Sequence, residues 1–300
     1  MKDRDLGVLF LILAFFMAGS SVVAARYISY SLGPFTIAAV SLLIATLSLI
    51  PFCVKQLKEV IPALKLGDWS HLCLQALCGI FLFRVFMLYG LQCTTAAETG
   101  IITGTAPAIT ALMAYVFLRE PISKYLFGII STVAGILLMQ GMVIINGNFT
   151  VSHLTGNLMV MAAVASESTF DILSRRHSLK SAGQKLVTID PLTQSALVTA
   201  IAFLLCLVPA LHEGVSPLTN LGPKVWLALI WYGTFVTALG YIFWYAGIKR
   251  CKASTAAVAS GFMPLTALIL SVLLLGESPG WWQWAGGAMV ITGMLSAGKS

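Results

Sequence analysis

The sequence predicts an all-α polytopic membrane protein with ten transmembrane helices, arranged as two inverted five-helix repeats. Three observations predict this fold class. Hydrophobic residues make up 58% of the chain and charged residues only 10%, whereas a soluble domain carries about 25% charged residues. Ten apolar segments each approach the roughly 20 residues that a helix needs to cross the hydrocarbon core. The two halves of the chain also repeat each other at a nearly constant offset.

The ten apolar segments are separated by short connections with turn chemistry, such as Gly33-Pro34 and Gly222-Pro223. The segments are 6–26, 34–54, 70–91, 94–117, 125–146, 156–175, 191–211, 225–247, 253–275 and 281–298. The first segment is too long for the core of a signal peptide and lacks a convincing cleavage site, so we expect it to remain as a helix.

The internal repeat is clearest around the fourth and ninth segments. Residues 93–121 and 251–278 align at an offset of 157, which carries Pro107 to Pro264. The same offset carries Arg84 in the third segment to position 241 in the eighth. Duplicated halves in a polytopic membrane protein are typical of secondary transporters.

The repeat divides the chain into residues 1–147, with helices 1 to 5, and residues 154–298, with helices 6 to 10. Because each repeat holds an odd number of helices, the second repeat must be inverted relative to the first. Inverted repeats place the substrate site between the halves, near the midplane of the membrane. We therefore expect the two halves to open that site alternately to either side.

The distribution of basic residues sets the orientation. With the N-terminus in the cytoplasm, Arg26 and Lys224 are the two basic residues on the outer side, and Arg84 lies within a span. All other Lys and Arg residues then fall on the inner side, as expected for cytoplasmic loops. The sequence therefore predicts that both termini are cytoplasmic and that the protein is a multi-pass protein of the cell membrane.

The net charge of +7 is thus a topology signal, and nucleic acid is not an expected partner. The six cysteines form no CxxC motif and no cluster with histidine, so we expect no metal site. The four histidines are scattered over different loops, which argues against a membrane enzyme. Neither an ATP-binding motif nor a motif for another cofactor is present, and the expected partners are lipid and a small-molecule substrate.

Two stretches carry a resemblance to a known family. The first runs from Gly90 through Leu138 and combines a helix rich in small residues, Pro107, an aliphatic run and Leu118-Arg119-Glu120-Pro121. The second copy ends in Leu275-Gly276-Glu277-Ser278. This pattern resembles the EamA repeat of the drug/metabolite transporter superfamily, over both halves. The resemblance implies ten helices, cytoplasmic termini, and the export or exchange of small metabolites.

Four charged residues within the spans are candidates for substrate binding or ion coupling, because charges in the bilayer are costly. Arg84 and Glu167 have no local partner, and a buried pair across helices is the structural alternative for both. Glu98 lies near the outer side, either solvated there or paired with Arg84. Asp171 is four residues before Arg175, so an ion pair along one helix is its structural alternative.

Two aromatic residues of the eighth segment, Tyr241 and Trp244, are candidates for lining an amphipathic cavity, with lipid-facing packing as the alternative. A second group of small residues and prolines is predicted to form helix packing faces or hinges. This group consists of Gly100, Gly104, Pro107, Gly261 and Pro264.

The sequence therefore predicts a secondary active transporter, most simply an exporter of small metabolites. Arg84 together with carboxylates in one cavity favours amino acids or related zwitterions. Export of organic cations or drugs is the alternative, since acids outnumber Arg84 among the candidates, and a channel is a further one. A protonatable carboxylate makes H⁺ the default coupling ion, and a homodimer is compatible with the sequence.

Overall fold

The computed structural model describes residues 3–118, 151–181, 191–214, 216–248 and 262–298, together with positions 127, 130, 131, 134, 135, 138, 189 and 250. Throughout these residues the regular structure is helical. The helices are α1 (Asp3–Ser29), α2 (Pro34–Ala63), α3 (Leu66–Gln75, Ala76–Leu82 and Phe83–Cys93 in succession), α4 (Ala96–Thr103), α5 (Ala106–Leu118), α6 (Val151–Ser181), α7 (Pro191–Glu213), α8 (Pro223–Ile230, Trp231–Leu239 and Gly240–Ile248 in succession), α9 (Phe262–Leu275) and α10 (Trp281–Gly298). A short 3₁₀ turn, Ser216–Asn220, precedes α8.

Five of the described helices are long and apolar enough to cross a membrane, and they belong to α1, α2, α3, α7 and α8. The prediction of an all-α membrane protein is thus confirmed. The predicted fifth segment, 125–146, falls almost wholly outside the described residues, so the count of ten spans stays a prediction. α2 extends to Ala63 rather than ending at residue 54, because the helix continues beyond its apolar part.

The predicted fourth segment is broken in the middle, into α4 and α5. α4 ends at Thr103, and the backbone N–H of Thr105 turns back to the carbonyl of Ile102 at 2.9 Å. Proline lacks an N–H, so Pro107 cannot donate to the carbonyl of Thr103 four residues earlier. The missing hydrogen bond explains why the helix is interrupted next to Gly104, at a depth where a continuous helix is the default.

The ends of the helices define two ends of the bundle. At the end where α1 begins, Thr193 Oγ1 on α7 donates to Gln56 Oε1 on α2 at 2.8 Å. At the other end, Glu213 of α7 accepts from the N–H of Thr36 of α2 at 2.7 Å. We call these the N-terminal end and the opposite end. α2 and α7 are therefore antiparallel neighbours, in contact along their length.

The helix contacts keep the same pattern when the two halves are exchanged. α1 packs against α8 and α9, and α6 packs against α3, α4 and α5. The middle of α3 contacts α7, and the middle of α8 contacts α2. Replacing each helix by the one five numbers away, with α4 and α5 together as the fourth, converts each of these contacts into another. The α2–α7 and α4–α9 contacts convert into themselves.

α4 and α9 approach closely through small residues, so that the first half meets the second in the middle of the bundle. A Cβ added to Gly100 would lie 2.3 Å from Ala267 Cβ, and one added to Gly104 would lie 2.9 Å from Pro264 Cγ. Both glycines and Pro264 are buried. Glycine is therefore required at these positions by the neighbouring helix, which is the usual role of small residues between transmembrane helices.

Candidate functional site

A buried arginine lies among hydroxyl groups between helices of both halves. Arg84 on α3 is 5% exposed; its Nη1 donates to Ser41 Oγ on α2 at 2.6 Å, and its Nη2 donates to Thr237 Oγ1 on α8. The ring of Tyr232 on α8 covers the guanidinium, 4.4 Å from Cζ to the ring centroid. Ser41 and Thr237 each donate their hydroxyl proton to a carbonyl of their own helix, so their lone pairs face the arginine. We call these four residues the Arg84 cluster.

The Arg84 cluster holds a cation without a carboxylate among its contacts. Within the described residues, no Asp or Glu forms a salt bridge with Arg84. The two hydroxyl groups and the ring compensate part of the lost hydration. A central arginine costs about 2.5–3.5 kcal/mol on membrane insertion scales. A cation held in this environment is therefore a candidate for binding an anionic group.

A small cavity lies nearer the N-terminal end, in the same group of helices. Its lining residues come from α3, α6, α7 and α8: Gln75, Ile80, Phe170, Ser195, Val198, Thr199 and Tyr241. The cavity has room for about one water molecule. The hydroxyl of Thr199 is fully buried and has no hydrogen-bond partner among the described residues. Gln75 is part of a polar chain, because its Oε1 accepts from Gln194 Nε2 at 2.9 Å.

The Arg84 cluster and this cavity occupy corresponding positions of the two halves. An offset of 157 carries Arg84 to Tyr241 and Ser41 to Val198. The same offset, taken in reverse, carries Tyr232 to Gln75 and Thr237 to Ile80. All four of these counterparts line the cavity. We therefore call the cavity the mated cavity; it is the repeat-related counterpart of the Arg84 cluster, and at these four positions each of the two sites takes two residues from each half.

Matching distortions of α3 and α8 position the two sites. The helix widens to π-helical geometry over Ala76–Leu82 in α3 and over Trp231–Leu239 in α8, and the offset of 157 makes these ranges end at equivalent residues. Arg84 and Tyr241 each follow two residues after the widened segment. Wide turns of this kind occur mostly at functional sites, because they re-aim the side chains that follow. Arg84 and Tyr241 are therefore positioned by the same feature, a widened helical segment two residues before each of them.

A second polar cluster lies at the opposite end of the bundle, around Glu98 of α4. Glu98 is 2% exposed, and its Oε2 accepts from Thr94 Oγ1 at 2.9 Å and from Asn157 Nδ2 of α6 at 3.2 Å. His153 Nδ1 of α6 is 3.5 Å from the same oxygen. We call these four residues the Glu98 cluster. It joins α4 to α6, so it also connects the two halves.

Two carboxylates from loops and ends of the second half cap helices of the first half. Glu277, after α9, accepts from the N–H groups of Ala96 and Ala97 at 3.0 Å each. Glu213, at the end of α7, accepts from the N–H and the hydroxyl of Thr36. The first N–H groups of a helix have no partner within the helix, and carboxylates there also interact favourably with its dipole.

Arg84 and Glu98 belong to different clusters and form no salt bridge with each other. Glu167 is half-buried on α6, between Ser166, which donates to the carbonyl of Cys78, and Ser168; it has an interaction of its own. The side chain of Asp171, also on α6, lies outside the described residues.

The remaining predicted residues divide between the cavity and helix packing. Tyr241 lines the mated cavity. Trp244 instead packs edge-on against Phe15 of α1, with 5.4 Å between ring centroids. Gly100, Gly104 and Pro264 form the α4–α9 contact described above. Gly261 and the side chain of Pro107 lie outside the described residues.

Sequence reasoning missed several polar residues that the structure assigns to these sites. Ser41, Tyr232 and Thr199 were not singled out, and neither was the capping role of Glu213. A lone hydroxyl in an apolar helix is normally bonded to its own backbone and gives no signal. The repeat would have pointed to one of the missed residues, because the counterpart of the polar residue Gln75 at the offset of 157 is Tyr232.

No group of three or more His, Cys, Asp or Glu side chains in the described residues is arranged to hold a metal ion. The groups that converge between the halves are one guanidinium, hydroxyls, an amide and aromatic rings. They are suited to holding a small organic molecule by hydrogen bonds, charge and stacking. A bundle of apolar helices with such a site in its interior defines a polytopic membrane transport protein.

Comparison with known proteins gives the family. The chain belongs to the EamA-like transporter family, whose model matches residues 5–141 and again residues 154–297. The resemblance inferred from the sequence is thus confirmed. A crystal structure that covers 98% of this chain and 96% of its own has a TM-score of 0.64 at 18% identity, which shows a similar fold.

Three curated relatives show how far the similarity extends. The "Uncharacterized transporter YetK" of Bacillus subtilis is 32% identical, over 93% of this chain and 82% of its own. The "Probable terminal-alkyne amino-acid exporter" of Streptantibioticus cattleyicolor is 23% identical, over 73% of this chain and 71% of its own. The "Probable amino-acid metabolite efflux pump" of Salmonella typhimurium is 28% identical, over 61% of this chain and 60% of its own.

Proposed function

We propose that the protein is a secondary active exporter that moves small metabolites by alternating access between two inverted five-helix halves. The pattern of helix contacts supports this proposal, because it is retained when the halves are exchanged. The equivalent widened segments of α3 and α8 support it as well. In such an architecture the halves exchange conformations, which opens a central site first to one side and then to the other.

Amino acids and related zwitterions are the favoured substrates. The observation that carries this choice is Arg84, which is buried between α2, α3 and α8 with no carboxylate among its contacts in the described residues. A guanidinium in a low-dielectric site binds a carboxylate strongly and with defined geometry. The names of two relatives, an amino-acid exporter and an amino-acid metabolite efflux pump, favour the same class and direction.

Export of organic cations is the second candidate, and the buried carboxylate of Glu98 favours it. Counterflow in proteoliposomes separates the candidates. Vesicles loaded with one compound should take up its labelled form faster than empty vesicles, and uptake should saturate. Exchange confined to amino acids supports the favoured class, and exchange confined to amines supports the second. Flux that never saturates would favour a channel and overturn the proposal.

The proposed location is the cytoplasmic membrane, and the proposed orientation places both termini in the cytoplasm. The N-terminal end of the bundle would then face inward. Single cysteines at Gly67 and Gly222, which lie at the two ends with nothing near a Cβ, test this in a cysteine-free background. Only Gly222→Cys should react with an impermeant maleimide on intact cells. The reverse pattern would contradict the orientation.

H⁺ is the proposed coupling ion, with Glu98 and Glu167 as the candidate proton carriers. Glu98 is the better placed of the two, because it is buried and joins both halves through Asn157. Glu98→Gln keeps the shape of the side chain and removes its charge. This variant should lose accumulation driven by a pH gradient while exchange persists. Undiminished coupling in Glu98→Gln and in Glu167→Gln would exclude both residues.

A further inference from the structure

We infer that the Arg84 cluster binds the carboxylate group of the transported molecule, and that a carboxylate is the feature by which this protein recognises its substrates. The inference rests on the proposed function and makes it more specific. It replaces the picture of a zwitterion held between Arg84 and neighbouring acids. The recognised class is small organic carboxylates, among which amino acids are one subset.

The first argument is the number of available donors. A guanidinium has five N–H donors, and the bonds to Ser41 and Thr237 use one on each terminal nitrogen. Both acceptors are neutral hydroxyls, which bind a cation less strongly than a carboxylate does. A carboxylate that arrives can therefore displace them with a gain in binding energy. The two hydroxyls are then able to turn toward the ligand.

The second argument is the absence of a built-in competitor. Glu98 is occupied by Thr94 and Asn157, and no carboxylate among the described residues pairs with Arg84. An arginine that only stabilised the fold would be expected to have such a partner, because a buried cation alone is destabilising. The same observation favours recognition that does not depend on the amino group, since no anion of the described residues lies beside the guanidinium to receive it.

The third argument concerns space. The Arg84 cluster is closed in this structure, whereas the four repeat-related residues line a cavity with room for about one water molecule. Because both halves carry the same helix arrangement, the open geometry of one is available to the other. Exchange of the two conformations would open the cluster and close the mated cavity. The remainder of the substrate would then lie against Tyr232 and the adjacent apolar faces of α2 and α8.

The test compares matched compounds that differ only in the proposed feature. One set is leucine, 4-methylpentanoate and leucinamide; a second is phenylalanine, 3-phenylpropanoate and phenylalaninamide. Purified protein is assayed for thermal stabilisation by each compound, and proteoliposomes for inhibition of counterflow. The acids should act with or without the amino group. The amides, which lack a carboxylate, should be weaker by about a hundredfold, the equivalent of one strong charge-assisted contact.

Variants separate binding from folding. Arg84→Met should remove the difference between acids and amides, and Arg84→Lys, which keeps the charge but not the planar fork, should reduce it about tenfold. Arg26→Lys is the matched control: Arg26 lies at the opposite end, bonded to the Leu91 carbonyl and stacked over Tyr30, and it should leave the difference unchanged. If Arg84→Met does not fold, the Lys variant carries the test.

Several outcomes would overturn the inference without touching the proposed function. Amides that exchange as well as the acids would do so, and so would an undiminished preference for acids in Arg84→Met or Arg84→Lys. Exchange of amines alone would also overturn it, while leaving the protein a transporter. By contrast, saturable exchange of the acids with loss of preference in the Arg84 variants would support it. Failure of every compound to exchange or stabilise would count against both.

Discussion

The Arg84 cluster and the mated cavity occupy the same four positions of the two halves, yet their chemistry is opposite. The cluster is closed and charged, with Arg84 bonded to Ser41 and Thr237, whereas the cavity is open to about one water molecule and neutral. The second residue after each widened helical segment is Arg84 in one half and Tyr241 in the other. The backbone device was therefore kept after the duplication, while the side chains diverged.

This difference shows how the two ends of a duplicated chain can become chemically unequal. Two identical halves would present the same surface to a substrate from either side of the membrane. Here the charge lies closer to the opposite end, since Arg84 is nine residues from the end of α3, about 13 Å by helical rise. The polar but neutral groups lie closer to the N-terminal end. Under the proposed alternating access, a substrate would therefore meet a different environment in each of the two states.

The largest effect is expected when the two sites are made alike. Arg84→Tyr replaces Arg84 by the residue found at its counterpart position, Tyr241, and removes the cation of the Arg84 cluster. Exchange of carboxylate substrates at low concentration should fall on the order of a hundredfold, because charge-assisted hydrogen bonds contribute about 1.5–3 kcal/mol each. The initial rate of counterflow, normalised to folded protein, measures this. A rate within about threefold of wild type, on the same free-energy scale, would place Arg84 outside the site.

A second comparison uses the glycines of the two widened segments. A Cβ at Gly233 would lie 2.6 Å from the backbone oxygen of Ser41, whereas one at Gly79 would lie 2.7 Å from the ring of Phe170. Backbone in a packed helix yields less than a side chain does, so Gly233→Ala should be the more destabilising. We expect a loss of about 2 kcal/mol in the free energy of unfolding for Gly233→Ala and about 1 kcal/mol for Gly79→Ala.

Unfolding of the purified protein by SDS in mixed micelles measures both values. Gly67→Ala serves as the control, because nothing lies near its added Cβ, and it should not destabilise the protein. Equal losses at Gly233 and Gly79 would mean that the two segments are constrained to the same degree. In that case the Arg84 cluster and the mated cavity would differ only in their side chains and not in how tightly their helix backbones are packed.

A smaller effect is expected at the cavity itself. Thr199 has a fully buried hydroxyl with no partner among the described residues, so Thr199→Val should raise the free energy of unfolding by about 1 kcal/mol. Thr193, one and a half turns earlier on α7, is equally buried but bonded to Gln56. Thr193→Val should therefore destabilise the protein by a similar amount. Loss of stability in Thr199→Val would show that its hydroxyl is satisfied.

The smallest effect is expected at the cap that Glu277 provides for α4, at the opposite end of the bundle. Glu277→Gln keeps an acceptor for the N–H groups of Ala96 and Ala97 but removes the negative charge. The interaction with the helix dipole contributes about 0.3–1 kcal/mol, so the melting temperature should fall slightly. Glu277→Ala should lower it further. Unchanged melting in the Ala variant would mean that other groups cap α4.

The sequence was sufficient for the class of fold, and it drew attention to Arg84, whose role stays a prediction. Apolar length predicted the spans, and the LxE pattern near Pro107 and Pro264 predicted the family. Arg84 stood out because a charge in an apolar segment has few explanations other than function. The repeat offset also pointed to Tyr241, although the cavity that this residue lines was visible only in three dimensions.

Ser41 and Tyr232 could not be predicted as partners of Arg84, for physical reasons. Ser41 bonds to its own helix as well as to Arg84, so it leaves no periodic pattern. The widened segments of α3 and α8 have no sequence signature, since they depend on how neighbouring helices pack. The break between α4 and α5 is in principle signalled by Pro107, yet many prolines in membranes only bend a helix.

The caps that Glu213 and Glu277 provide have a consequence for biosynthesis. α2 and α4 are among the first helices to leave the ribosome, but the carboxylates that satisfy their N-terminal N–H groups come 177 and 181 residues later. At a translation rate of about 5–20 residues per second, the delay is about 9–36 s. During that interval the N–H groups of Thr36, Ala96 and Ala97 lack the carboxylates that accept from them in the folded protein. Translation of the second half therefore completes two helix ends of the first half.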